Sequence, residues 1–179
     1  MNERRELGIC ALLILACCCA LSACEPEAKA GPAETRQEQA LDDQEAQKRT
    51  VADIRNVGTA MFSWLTDQVG AAAAGQSETP APKEVALSDY PEISHEELAG
   101  ILVPQYILEV PATDGWGNEY EFHLNTENPL AAQVMSIRGP GREGAFSTDT
   151  YTVTSFDPTS FDEDIVWADG FFVRWPQRQ

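Results

Sequence analysis

The sequence predicts an α+β fold in which one long N-terminal amphipathic helix packs on a small antiparallel sheet. Apolar residues recur at steps of three and four positions, the spacing of one helix face: Val51, Ile54, Val57, Met61 and Leu65. Short apolar and aromatic runs, typical of strands, follow at residues 120–124, 132–137, 151–154 and 171–175. A helix and a sheet that each have one apolar face bury both faces when they pack together.

The first 23 residues have the pattern of a secretory signal peptide. Arg4 and Arg5 precede an apolar stretch at residues 7–20, and the order Leu-Ser-Ala-Cys ends at Cys24. This ending also resembles the lipobox of bacterial lipoproteins, whose cysteine becomes the lipidated first residue. We therefore expect removal of residues 1–23 and lipidation of Cys24. The alternative, a retained transmembrane helix, is disfavoured because the stretch is shorter than the about 20 residues that a spanning helix needs.

This signal predicts an envelope protein that is lipid-anchored to a membrane and faces the periplasm or the exterior. The other four cysteines, Cys10, Cys17, Cys18 and Cys19, fall in the removed segment. The mature domain then has neither a disulfide nor a thiolate metal site. Several acyl chains make attachment effectively permanent, because each buried methylene contributes ~0.8 kcal/mol.

The net charge of −17 argues against a nucleic-acid partner and against a domain that lies on anionic lipid. Residues 24–40 are rich in Glu, Ala, Pro and Gln, which predicts a flexible acidic tether. The remaining residues, 41–179, are enough for one domain with a modest core.

Local signals order the elements of this domain. A helix is predicted at residues 41–68, with Asp42 or Asp43 as its cap and residues 70–75 as the start of a loop. One or two helical turns are predicted at residues 95–100, with Ser94 as the cap and Gly100 as the stop. The predicted strands follow.

Three segments in the middle of the chain carry a family likeness. Leu-Val-Pro-Gln-Tyr-Ile at 102–107 and Val-Pro at 110–111 precede Asp-Gly-Trp-Gly-Asn-Glu-Tyr at 114–120. They resemble, in the same order, the core of the major pseudopilin family of type II secretion systems, which has Asp-Pro-Trp-Gly-Asn-Pro-Tyr followed by a strand, a Gly-rich turn and an acidic calcium loop. The resemblance implies a pilin-like fold with a structural corner formed by Asp114, Trp116, Gly117, Asn118 and Tyr120. From the residues themselves we expect the Trp116 ring to fold back over the sheet edge and Asn118 to bond nearby backbone.

The chain departs from that family in two ways. Gly115 and Glu119 stand where the family motif has prolines. A lipobox and a polar tether replace the prepilin-peptidase site and the hydrophobic stem that packs into a filament. The resemblance therefore implies an accessory role beside secretion or pilus-like proteins rather than ordinary filament building.

The resemblance also implies a structural calcium ion in the acidic closing region. It assigns Glu143, Asp162 and Asp164 as ligands, although Pro140 falls where one alignment places the family's first aspartate. Asp157 and Asp169 offer further oxygens, and the spacing does not fit an EF-hand. The alternative is an acidic loop that is only solvated.

The sequence predicts no enzyme and no small-molecule substrate. Only His95 and His123 are available, and no nucleophile elbow, zinc motif or phosphate loop is present. We expect His95 to be a solvated surface residue and His123 to face solvent from its strand. A second class of function stays open: a stand-alone, calcium-dependent protein-binding lipoprotein that uses the segment 171–176 as a contact surface, unless that segment is a buried last strand.

Overall fold

The computed structural model describes residues 32–70 and 82–177. The signal segment 1–23, Cys24, the first part of the tether and the predicted loop after Gly70 lie outside these residues. The helices are α1 (Pro32–Val69) and α2 (His95–Leu102), with a 3₁₀ turn at Leu87–Asp89. The strands are β1 (Glu84–Ala86), β2 (Glu92–Ile93), β3 (Glu121–Leu124), β4 (Met135–Gly139), β5 (Thr150–Thr152), β6 (Thr154–Phe156), β7 (Ile165–Ala168) and β8 (Phe171–Pro176).

Helix α1 starts at Pro32, earlier than the predicted start near residue 41. Residues 32–40, predicted to be part of a flexible tether, are therefore helical. Proline suits the first helical position, and the Ala, Glu, Gln and Arg that follow are strong helix formers. Residues 32–40 contain no large apolar side chain, so no apolar period marks this part of the helix in the sequence. No described helix is long and apolar enough to span a membrane.

The predicted apolar face of α1 is confirmed. Ile54, Val57, Met61 and Leu65 are buried, and Val51 is half-buried. This face packs over strands β4 and β7. Full burial of a side chain such as Met61 contributes about 1.5–3 kcal/mol. The helix ends as predicted near residue 68, where Gly70 takes a left-handed conformation (φ +80°) and donates its N–H to the carbonyl of Thr66.

Helix α2 has the predicted cap but not the predicted stop. The Ser94 hydroxyl accepts from the backbone N–H of Glu97, and the Glu97 carboxylate accepts from the N–H of Ser94, which forms a capping box. Gly100 lies inside the helix, which continues to Leu102. Pro104 sets the end instead, because it favours an extended conformation at Val103.

The α+β class is confirmed, but the sheet is mixed rather than purely antiparallel. Six strands lie in the order β2-β3-β4-β7-β8-β6, and β6 pairs with β8 in parallel. A single strand was predicted at residues 151–154, yet the chain divides there: β5 pairs with β1 in a separate two-stranded sheet, and β6 joins the large sheet. Strand β7 was not predicted, because its apolar run Ile-Val-Trp-Ala directly follows the acidic residues 162–164, here called the acidic segment.

Both faces of the large sheet are buried at its central strands β4 and β7, whereas the outer strands β2, β6 and β8 are partly exposed. Helices α1 and α2 cover one face, where Leu98, Ile137 and Trp167 join the main core. A second apolar cluster, which includes Val85, Tyr151 and Val166, brings the two-stranded sheet against the main one. From the sequence we expected the face of the sheet opposite the helices to be exposed to solvent. The second cluster covers this face and therefore changes the surroundings of several polar residues.

Candidate functional site at the Trp116 corner

Asp114 organises the turn at which the family likeness is concentrated. Its side chain is 1% exposed, and its Oδ1 accepts from the backbone N–H groups of Trp116 and Asn118, both at 2.9 Å. Gly117 takes a left-handed φ of +90°, which a side chain rarely tolerates. Burial raises the pKa of Asp114, while the backbone donors oppose that shift. The turn is therefore built around one buried carboxylate.

Gly115 lies directly against the backbone of α1. Its N–H donates to the Thr50 hydroxyl at 2.9 Å. A Cβ added at this glycine would lie 2.1 Å from the carbonyl oxygen of Ala46, closer than any real contact. A proline here would lose the hydrogen bond and meet the same obstacle. The departure from the family motif at this position thus has a local packing reason.

Trp116 connects the turn to the helix. Its indole N–H donates to the Asp43 carboxylate at 3.0 Å, and its ring lies 6.5 Å from the ring of Phe161. We expected this ring to fold over the sheet edge. It lies instead between α1 and the segment that precedes β7, because the polar N-terminal half of α1 supplies the acceptor.

Asn118 and Tyr120 complete the motif. Asn118 was expected to bond the nearby backbone, but its side-chain amide donates to the carbonyl of Gly141 at 2.7 Å, 23 positions along the chain. Tyr120 is buried against Phe122, and burial raises its pKa. The motif therefore joins the turn to the loop after β4 as well as to α1.

Arg142 extends this joint to the acidic segment. Its guanidinium bonds Asp43 of α1 at 2.9 Å and both oxygens of Asp162 at 2.9 and 2.8 Å. The hydrogen bonds from Arg142 lower the pKa of Asp162, and those to Asp162 and Asp43 raise the pKa of Arg142. The corner is a contact between α1, the turn at 114–120, the loop after β4 and the segment before β7.

The three predicted calcium ligands have different partners. Glu143 is exposed, and Asp162 is bound at both oxygens by Arg142. Asp164 is 1% exposed, with one oxygen accepting from Ser147 and from the Tyr151 hydroxyl. Within residues 32–70 and 82–177, no group of three or more His, Cys, Asp or Glu side chains is arranged to hold a metal ion. Calcium binding stays a prediction.

The other predicted carboxylates bond the protein itself. Asp157 accepts from the backbone and side chain of Thr159. Asp169 accepts from the Tyr90 hydroxyl at 2.7 Å. It also accepts from the backbone N–H groups of Val134 and Met135 at the beginning of β4. Burial raises the pKa of Asp169.

Both histidines differ from their expected surroundings. His123 is 5% exposed, because the face of the sheet predicted to be wet is buried; its Nδ1 lies 3.0 Å from the Ser136 hydroxyl and its Nε2 3.4 Å from Glu121. Burial lowers the pKa of His123. His95 is half-buried, and its Nε2 lies 2.8 Å from the Val110 carbonyl. Ser136 has no exposed surface, so the Ser136–His123–Glu121 contact is closed to a substrate.

Arg138 is a structural residue that sequence reasoning missed. It is 6% exposed, binds both oxygens of Glu121, and donates to Asp149 and to the Thr148 carbonyl. The Phe146 ring covers its guanidinium at 3.9 Å. The pairing of β3 with β4 places Glu121 opposite Arg138. The sequence signal for the role of Arg138 is the opposite charge of its cross-strand neighbour Glu121. This pair can be recognised only when the register of β3 and β4 is known.

Comparison of the chain with protein-family models, with curated proteins and with solved structures gives no match. The resemblance to the major pseudopilins rests on the residues of this sequence, and family membership stays a prediction.

Proposed function

We propose that the protein is a lipid-anchored envelope protein whose pseudopilin-like domain has a structural or accessory role in type II secretion or a pilus-like machine. The observation that carries this proposal is the ordered corner motif. The Asp114 carboxylate accepts from a backbone N–H within the turn. The Trp116 indole donates to α1, and the Asn118 amide donates to the loop after β4. A motif with such contacts supports a fold-defining role, and the lipobox at Cys24 supports the anchor.

The N-terminal part of α1 supports a spacer between the anchor and the domain. Residues 36–42 are all exposed, so this part of the helix lies outside the core. The nine helical residues 32–40 extend the chain by about 13 Å, at about 1.5 Å per residue. The net charge of −17 also repels anionic head groups. The domain is then held away from the bilayer surface, where it contacts protein partners.

An accessory role fits the chain better than a filament subunit. A filament of the usual kind packs hydrophobic N-terminal stems. At the corresponding place this chain has a lipobox and the acidic tether predicted at residues 24–40. No helix among the described residues has the length and apolar character of a membrane span. Partner binding therefore depends on the surface of the domain.

Crosslinking in living cells tests this function. A photo-reactive residue is placed at Leu108 or Leu130, whose side chains are 89% and 71% exposed. We expect capture of secretion or pilus-like components in the membrane fraction, and loss of that capture when Cys24→Ser removes the anchor. Matched expression of both proteins is the control. Reproducible capture of only unrelated envelope proteins contradicts the accessory role and favours the stand-alone binding lipoprotein.

A further inference from the structure

A groove of about 900 Å³ lies between α1 and the C-terminal strand β8. It is lined by α1 residues on one side and by the segments around β6 and β8 on the other: Gln44, Gln47, Lys48, Val51, Ala52, Arg55, Pro158, Phe172, Trp175, Pro176 and Gln177. These residues are distinct from the Trp116 corner and from the acidic segment.

The groove follows from the width of the sheet. Helix α1 packs over β4 and β7, whereas the sheet continues beyond β7 to β8 and then to β6 at its edge. One helix is too narrow to cover this additional width, since its diameter with side chains is about 10–12 Å and neighbouring strands are about 4.8 Å apart. A step remains between the helix and the outer strands.

An irregularity in β8 supplies the aromatic floor of this step. Trp167 pairs with Phe172 and Val166 pairs with Arg174, which leaves Val173 as an extra residue. Such a bulge shifts the alternation of side chains, so Phe172 and Trp175 both reach the helix side of the sheet. Both are only half-buried, and both line the groove. A regular strand would place residues three apart on opposite faces.

The charge of the groove is opposite to that of the whole chain. Its eleven lining residues include Lys48 and Arg55 but no carboxylate, in a chain with 29 Asp and Glu against 12 Lys and Arg. Both cations are exposed, and neither makes an ion pair within the part of the chain that the structure describes. The Arg55 guanidinium lies 5.7 Å from the centre of the Phe172 ring. The groove thus combines an aromatic floor with a cationic rim.

We propose that this groove binds an acidic peptide segment of a partner protein. An apolar side chain of the peptide packs on Phe172 and Trp175, and its carboxylates pair with Lys48 and Arg55. Partly exposed aromatic residues are typical anchors of protein interfaces, and complementary charge selects the partner and speeds its association. The proposal goes beyond the role in secretion, because it does not depend on the lipid anchor.

A designed peptide tests the proposal. The probe is a fluorescein-labelled ten-residue peptide of Glu, Asp, Leu and Phe, titrated with the full-length protein in neutral detergent and followed by fluorescence anisotropy. We expect saturable binding that is at least about tenfold weaker when Lys48→Glu is combined with Arg55→Glu. Arg36→Glu with Lys83→Glu makes the same change of charge at exposed positions outside the groove and should leave the affinity within about twofold.

Two further arms separate binding in the groove from nonspecific charge attraction and from unfolding of the variants. A peptide with Lys in place of each acidic residue should bind at least about tenfold more weakly, and circular dichroism should show that both double variants are folded. No binding of the acidic peptide, equal loss in the two double variants, or preference for the basic peptide overturns the proposal. Self-association that Lys48→Glu with Arg55→Glu abolishes, seen by sedimentation velocity without peptide binding, also overturns it in favour of a second copy.

Discussion

Gly115 shows how a single residue couples the corner to the helix. Gly115 stands where the pseudopilin motif that this segment resembles has a proline, and here the turn lies against the backbone of α1. A side chain is excluded by the Ala46 carbonyl, and the N–H is used by the Thr50 hydroxyl. Close approach of two backbones is a common reason for glycine in a turn.

We predict that Gly115→Ala lowers the free energy of unfolding by roughly 2–3 kcal/mol, because the added Cβ forces α1 and the turn apart. Urea denaturation measures the change. Gly100→Ala is the matched control: Gly100 lies on an exposed helical surface with no atom near an added Cβ, so this change should stabilise the protein by about 0.5–1 kcal/mol. Equal stability of Gly115→Ala and the wild type contradicts the close contact.

A second prediction concerns His123, whose pKa burial lowers below its ordinary value of 6.5. The native state then binds fewer protons than the unfolded chain as the pH falls through about 6.5, so stability is lost toward acid and regained toward neutral pH. We expect the stability of the wild type relative to His123→Gln to increase between about pH 5 and pH 7.

Urea midpoints at intervals across this pH range measure the effect. His95→Gln, which replaces the other histidine, is the control and should keep the dependence that belongs to His123. A constant difference between the wild type and His123→Gln would show that the buried imidazole does not titrate differently in the two states.

At the level of residues, the sequence predicted what neighbours in the chain decide. The corner motif is continuous, so Asp114 and Trp116 were found together. The long-range contacts of the corner were not predicted. Trp116 donates to Asp43, 73 positions away, and Arg142 donates to Asp43 from 99 positions away. No local pattern marks such pairs, because the fold alone brings them together.

Among the elements, α1 was predicted best, since its apolar period extends over several turns. Its start was missed because helix propensity rather than burial extends it to Pro32. Strands β1 and β2 have three and two residues, too few for an alternating pattern. The chain breaks at Val153 between β5 and β6, and this break lets β6 pair with β8 in parallel. Tertiary contacts decide the position of the break, so the local sequence does not predict the pairing.

The pairing of β3 with β4 carries a prediction about Arg138. We expect Arg138→Met to lower the free energy of unfolding by roughly 3 kcal/mol, because it leaves Glu121 mostly buried without its main partner. Adding Glu121→Leu removes that carboxylate, and the double variant should be more stable than Arg138→Met alone. Thermal and urea denaturation of the three proteins form the measurement. Additive losses in the double variant would contradict the coupling of the two residues.

On the scale of the whole molecule, the acidic composition supports the calcium prediction, whereas the pairing of Asp162 with Arg142 opposes it. If calcium binds here, it stabilises the native state and raises the melting temperature. Asp162→Asn with Asp164→Asn should then abolish the rise. Glu45→Gln with Glu96→Gln removes two exposed carboxylates elsewhere and should preserve it. A wild type that shows no calcium-dependent rise ends the calcium hypothesis.

The lipid anchor is the central claim, because the proposed place of the protein in the cell depends on it. Mass spectrometry of the N-terminal peptide from the membrane fraction tests it most directly. We predict a mature chain that begins at Cys24 with a diacylglycerol on its sulfur. Cys19→Ser should give the same peptide, while Cys24→Ser should block processing or release the protein into the soluble envelope fraction. An unmodified Cys24 in a membrane-bound chain, or unchanged processing and attachment of Cys24→Ser, would contradict the lipid anchor.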